Sequence, residues 1–159
     1  MKYMNVMFGL LFMNCFCFAS ESNYGNIFAK NESPFGIQGN NVRLFDVLEP
    51  IRKCKSSEKF FCLESNAFSF AIPRHLALTK TWTYSNAEYN ILFERTSLFR
   101  QKPIKYKIIR QKRNGRIVEY AHSDEYGVIG IKADDGNQLT IMDKCGFAVL
   151  SDAKGCKPD

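Results

Sequence analysis

The chain has 159 residues with 22 Lys and Arg against 16 Asp and Glu, a formal net charge of +6, and 45 % hydrophobic and 14 % aromatic residues. That apolar content excludes a disordered chain, and the length suits one domain rather than several. With no internal repeat and no second-domain linker, one hydrophobic core is expected.

The first feature in chain order is an apolar run, Val6–Ala19, free of charge and lying directly behind Lys2. A cationic start, about a dozen apolar residues and small residues at Ala19 and Ser20 form the secretory pattern, and the run is shorter than the ~20 residues of a membrane helix. Residues 1–19 therefore read as a signal peptide, placing the mature protein in the periplasm or outside the cell with no stable membrane span. A lipid-modified Cys15 or Cys17 is disfavoured because Phe12-Met13-Asn14 lacks the small residues of a lipoprotein signal. Cleavage leaves 140 residues of the 159 and removes Lys2, lowering the net charge from +6 to +5.

Of six cysteines, Cys54, Cys62, Cys145 and Cys156 then remain. Four cysteines in an oxidising compartment predict two disulfides, and short loops close most readily, so Cys54 pairs with Cys62 and Cys145 with Cys156. A zinc site would need C-x-x-C or ligand-spaced histidines, and neither occurs. No cofactor is expected.

Residues 20–41, rich in Asn, Ser and Gly, show no sustained periodicity and read as a flexible arm; the Asn31-Glu32-Ser33 sequon lies within it. Leu44, Val47, Leu48 and Ile51 recur at helical spacing behind Asn41, predicting a short helix over 42–53 that Pro50 interrupts and that covers a sheet.

From Phe60 the pattern becomes that of strands. Phe60–Leu63 and Ala67–Ile72 end at Pro73, and Leu76, Leu78, Trp82 and Tyr84 alternate with Ala77, Thr79, Thr81 and Thr83, as in a half-buried strand. Glu88–Thr96 follows beyond Ser85-Asn86, placing Tyr89, Ile91 and Phe93 together. Ile104–Lys112 and Arg116–His122 flank Asn114-Gly115, the pair best suited to a type I′ hairpin turn. That turn sets Arg113 opposite Arg116, Arg110 opposite Glu119 and Ile109 opposite Tyr120. Tyr126–Ala133 and Gln138–Met142 make another hairpin. The predicted fold is α+β and mainly β: one β-rich domain over 42–159, an antiparallel meander curled into a sandwich or half barrel, with one short helix and two disulfide staples.

Eight cations, Arg100, Lys102, Lys105, Lys107, Arg110, Lys112, Arg113 and Arg116, occupy seventeen residues that contain no acid. They read either as a binding surface, with Tyr120 below, or as an edge hairpin kept unpaired by its charge. His122, beside Ser123, Asp124 and Glu125, allows a nuclease in which it is the acid, Glu119 or Glu125 the base, and Arg110 or Arg113 the phosphate holder. Two surface histidines, His75 and His122, account for the same residues without chemistry. There is no G-x-S-x-G elbow, and Asp134-Asp135-Gly136-Asn137 has turn spacing rather than that of a calcium loop. The sequence thus favours an exported, non-enzymatic binding protein with a macromolecular partner, a protein rather than a nucleic acid. An inhibitor or immunity protein that blocks a toxic or cell-wall-degrading enzyme fits this description. A small secreted nuclease acting on a polyanion is the alternative, and a cell-surface structural component is a third class.

Overall fold

The computed structural model of the chain describes residues 21–26, 34–54, 59–76, 79–151 and 156. The apolar leader, the sequon and Leu78 lie outside them. Among the described residues the strands are β1 (Glu21–Gly25), β2 (Phe35–Gln38), β3 (Asn41–Leu44), β4 (Val47–Pro50), β5 (Arg52–Lys53), β6 (Phe60–Glu64), β7 (Ser69–Pro73), β8 (Thr81–Tyr84), β9 (Ala87–Phe99), β10 (Lys102–Arg113), β11 (Arg116–Ser123), β12 (Gly127–Lys132) and β13 (Gln138–Ile141). Ten form one open antiparallel sheet in the order β4-β3-β2-β1-β13-β12-β11-β10-β9-β8, and β5-β6-β7 form a second.

The meander, the two disulfides and the central hairpin match expectation. Asn114 and Gly115 take φ of +50° and +78°, and β10 and β11 pair Arg113 with Arg116, Arg110 with Glu119 and Ile109 with Tyr120. Cys54 joins Cys62, and Cys145 joins Cys156.

The helix over 42–53 is corrected to strands. Val42 pairs with Glu49 and Leu44 with Val47 around a two-residue turn at Phe45-Asp46, and β3 continues the ladder onto β2. A twelve-residue helix with three β-branched residues and Pro50 near its end has little intrinsic stability. The hairpin instead buries Val42 completely beside Ile37, its partner on β2.

Within the predicted arm, residues 21–25 and 35–38 are strands rather than loose chain, with a turn at Gly39-Asn40 leading into β3, while residues 20 and 27–33 lie outside the described residues. Tyr24, Phe35 and Ile37 are buried, and β1 joins β13 on one side to β2 on the other. The Tyr24 hydroxyl donates to the Val128 carbonyl at 2.6 Å and accepts from the Phe147 amide at 3.2 Å, fixing this strand to the far end of the chain.

The inner face of the large sheet is covered by β7 and by the segment after β13. All five residues of β7 are buried. Its Ala71 carbonyl accepts from Trp82 Nε1 at 3.0 Å, its Ser69 carbonyl accepts from Gln111 Nε2 at 2.8 Å, and Phe70 packs edge-on to Tyr120 with ring centres 4.8 Å apart. Phe147 meets Tyr24, Phe35, Phe68 and Phe70 at 5.1–6.0 Å. Gly127, at φ +69°, and Gly146 permit this segment to lie against β12, since a Cβ on either would collide with backbone across the contact.

Phe147→Ala is expected to lower unfolding free energy by roughly 3–5 kcal/mol, because it removes a ring shared by four aromatic neighbours. Urea denaturation of the oxidised protein measures the loss.

Candidate functional site

The predicted basic hairpin is not an edge. β10 lies between β9 and β11, and β11 is covered in turn by β12, so neither strand needs charge to deter pairing. The pleat separates the cations: Lys105, Lys107 and Arg113 share the face of buried Ile109 and Gln111, while Arg110 and Lys112 point to the other face.

Neighbouring strands supply the acids that the seventeen-residue segment lacks. Lys105 pairs with Glu94 of β9 at 2.8 Å, Lys107 with Asp124 at 3.4 Å, and Arg110 with Glu119 of β11 at 2.8 Å. The ammonium of Lys105 holds the Glu94 carboxyl below its usual range, and Glu94 in turn raises Lys105. Arg100 donates to the carbonyls of Met142 and Asp143. Lys112, Arg113 and Arg116, at the hairpin tip, have no carboxylate within 4 Å among the described residues. Arg113 acts on the Glu64 carboxyl only as the weakest of several influences, the hydrogen bond from Arg52 being the main cause of that group's lowered pKa.

Tyr120 is corrected from a binding residue to a core residue. It is 2 % exposed, and its hydroxyl donates to Gln111 Oε1 at 2.8 Å. Gln111 Nε2 donates to both the Tyr89 hydroxyl and the Ser69 carbonyl, so one amide joins three strands in the interior. Burial pushes Tyr89 up to about 12 and raises Tyr120 as well.

His122 is also buried, contrary to the surface reading, whereas His75 is exposed in the turn after β7. His122 Nε2 contacts the Ala148 carbonyl at 2.8 Å, a geometry that requires the ring to donate there. Burial lowers its pKa from 6.5 to about 4, so at neutral pH the ring is uncharged and Nδ1 carries a lone pair. Nδ1 lies 3.7 Å from Asp124 Oδ1. Together with Lys105, Tyr106, Lys107, Ser123, Asp124 and Glu125, His122 lines a cavity of about 140 Å³.

The proposed nuclease residues do not converge. Glu119 is three residues from His122 on β11, hence on the opposite face, where Arg110 and Lys132 engage it. Arg110 shares that opposite face. Arg113 shares His122's face but stands six residues beyond Lys107, the partner of His122, which is roughly 20 Å along a strand. Glu125 alone of the expected partners joins His122 at the cavity.

Asp134 and Asp135 accept hydrogen bonds from Ile117 and Asn137 within and beside the β12–β13 turn. Among the described residues no three His, Cys, Asp or Glu side chains gather as metal ligands.

The strand register also brings together features that are far apart in sequence. The turns Phe45-Asp46, Ser85-Asn86, Asn114-Gly115 and Ala133–Asn137 all lie on one rim of the large sheet. That rim carries Lys112, Arg113 and Arg116 and, on the edge hairpin β3–β4, Phe45 (70 % exposed), Val47 (56 %) and Leu48 (57 %). Sequence reasoning missed the apolar group because it assigned Val47 and Leu48 to the buried face of a helix; the adjacent pair Phe45-Asp46, between two short apolar runs, was the available turn signal. No protein-family model, curated protein or solved structure matches this chain.

Since the unfolded chain takes up a proton at His122 that the folded chain resists, stability should fall as pH drops from about 6.5 toward 4. The loss is about 2 kcal/mol between roughly pH 6.5 and 5. His122→Gln retains a donor for Ala148 and should flatten this part of the profile in urea titrations; an unchanged slope would assign the pH dependence elsewhere.

Proposed function

We propose that this chain is an exported, non-enzymatic binding protein that engages a protein partner through the rim bearing the β3–β4 and β10–β11 turns. The reading extends to an inhibitor or immunity protein that blocks a toxic or cell-wall-degrading enzyme in the periplasm or outside the cell. The observation that carries it is the rim itself, where an exposed aromatic and two aliphatic side chains occur on the same border as Lys112, Arg113 and Arg116, which make no ion pair within 4 Å among the described residues although Glu88 and Asp134 lie on the same border. Solvent gives no stabilising reason to expose Phe45 at a turn where its φ is +52°, a conformation costly to a residue with a Cβ. A protein surface offering an apolar pocket and acidic groups would use both features, with the aromatic as anchor and the charges steering approach.

Export is supported by the leader sequence and by the two disulfides, which persist in oxidising compartments. Among the described residues no helix is long and apolar enough to cross a membrane. The polyanion alternative loses much of its support because three of the strand cations, Lys105, Lys107 and Arg110, are paired with Glu94, Asp124 and Glu119, and those without a carboxylate within 4 Å among the described residues are split between the two ends of β10.

Affinity capture from the envelope fraction of the source organism, at low and moderate salt, tests the reading. Capture of a discrete enzyme is expected. Arg113→Glu with Arg116→Glu should slow its association by about tenfold or more, and Phe45→Ala should accelerate dissociation, with the fold unchanged by circular dichroism. Recovery of nucleic acid that is released as salt rises would overturn the proposal.

A further inference from the structure

A sheet that does not close has edges, and an edge strand offers its unpaired N–H and C=O groups to any other strand unless something blunts it. Several edges of this fold are blunted. β4 and β8, which end the large sheet, are only four residues long each, and β4 finishes on Pro50, which has no N–H to give. In the small sheet β5 has two residues and β7 is buried throughout.

The outer half of β9 is different. It pairs with β10 out to Phe99 and Lys102, but β8 accompanies it only as far as Asn90, with one further bond from the Ile91 amide to the Lys80 carbonyl. Among the described residues no strand flanks β9 beyond that point. Phe93, Glu94, Arg95, Thr96, Ser97 and Leu98 are all exposed, Leu98 by 73 %. On the other border of this ribbon β11 joins β10 only from Lys107 onward, and the stretch it leaves carries Pro103 and Lys105. The open stretch of β9 has neither proline nor lysine.

The register states which backbone groups are free. The two-residue turn Arg100-Gln101 makes Phe99 and Lys102 a hydrogen-bonded pair, so alternation directs the N–H and C=O of Phe93, Arg95 and Ser97 to β10 and those of Glu94, Thr96 and Leu98 away from it. The bulge at the Ile108/Ile109 shift reverses this order in the inner half, where Ile91 faces β8 instead. Three alternate residues thus present a donor and an acceptor each along an uncovered border.

We infer that this border of β9 pairs with the same border of a second copy of the chain, antiparallel about a two-fold axis at Thr96. A two-fold contact must be complementary to itself, and the sequence here satisfies that in one register. An axis at Glu94 sets two carboxylates directly opposite, and an axis at Arg95 two guanidinium groups. An axis at Ser97 matches Glu94 with Arg100, whose φ of +50° takes it out of the strand. At Thr96 the threonines face each other and Glu94 faces Leu98 of the second copy on either side, so all the outward groups are used, two hydrogen bonds in each of three pairs. The same register brings Phe93, 43 % exposed, opposite Phe99 of the second copy on one face, twice over. The two Arg95 side chains meet only diagonally, and each already lies over the Phe93 ring of its own chain at 4.8 Å. Glu94 arrives neutralised by Lys105. A second copy is favoured over a foreign strand because Phe93 to Phe99 is its own complement, with an aromatic at each end, threonine at the centre and no charge opposite its like.

This inference goes beyond the rim and does not rest on it. The Arg100-Gln101 end of β10 is opposite the Asn114-Gly115 end, so the paired protein keeps both rims free.

Sedimentation equilibrium of the oxidised full chain should show a monomer–dimer equilibrium with a dissociation constant on the order of 10–100 µM, as suits a short interface. Thr96→Pro removes one outward N–H per chain without touching the ladder to β10, and Thr96→Lys puts two ammonium groups face to face at an exposed position; each should weaken association by about tenfold or more, with the circular dichroism unchanged. The lysine variant decides the matter if the proline variant fails to fold. In a glutathione buffer Thr96→Cys should cross-link two chains about tenfold faster than Arg95→Cys or Ser97→Cys, because only position 96 meets itself across the axis at disulfide distance. A chain still monomeric at about 1 mM would overturn the inference. So would a dimer indifferent to the Thr96 variants, or cross-linking at equal rates at the three positions. A border that takes up a strand of another protein while the chain stays monomeric would overturn it as well.

Discussion

An open sheet of ten antiparallel strands has an apolar face that it cannot bury against itself, and the covering of that face determines the rest of this molecule. β7 and the segment from Cys145 to Val149 provide the cover. Their side chains fill the curve of the sheet, but their backbone groups also enter a setting without water, where an unmet carbonyl or amide costs on the order of 1–3 kcal/mol. The sheet therefore contributes polar side chains at matching points: Trp82 to Ala71, Gln111 to Ser69, Tyr24 to Phe147, and His122 to Ala148. Each of these polar contacts also sets register, since a shift of one residue would turn the side chain to the opposite face.

His122 follows from this constraint. Its ring is buried because the tail lies across it, and it is neutral because burial disfavours its charge. Its tautomer is chosen by the Ala148 carbonyl. The Cys145–Cys156 bridge fastens the same tail just before Phe147. The tail and the cavity are consequently linked through His122, which lines the cavity and bonds to Ala148. A change that loosens Phe147 should also affect the histidine, although Phe147 itself is not among the residues that line the cavity.

The parts of the fold legible in the sequence were those specified by local chemistry. Asn114-Gly115 fixed a turn geometry and with it the register of two strands, and the short intervals between cysteines indicated their pairing. The amino-terminal strands were hidden because Asn, Ser and Gly outnumber the few apolar residues there, so their stability comes from partners more than a hundred positions away, as between Tyr24 and Val128. The segment 42–53 misled because Leu44, Val47, Leu48 and Ile51 satisfy a helical period by coincidence with a two-residue turn, which restarts the strand alternation out of phase. Of the candidate site, the hairpin tip and His122 were visible as residues. The burial of His122 was not, because it depends on the Ala148 segment that packs across it from far along the chain.

The basic segment illustrates how charge read along a strand differs from charge in a sheet. In a helix, a cation finds its counter-ion three or four residues away in the same segment, so an acid-free run has no local partners. In a strand, the nearest side chains on the same face belong to the flanking strands, and a run without acids can still be neutralised across the ladder. Lys105 and Arg110 obtain Glu94 and Glu119 in this way, on opposite faces and from opposite neighbours. At the hairpin tip the ladder offers less: Lys112 stands opposite Glu88 without closing to an ion pair, and Arg113 stands opposite Arg116. The potential that a partner would sense thus comes from the end of the hairpin rather than its length, and it emerges on the border where the β3–β4 turn exposes Phe45. Electrostatic attraction at one point and an apolar anchor at another constrain a partner's orientation more strongly than either would alone, which is why the rim, more than the total charge, carries the functional reading.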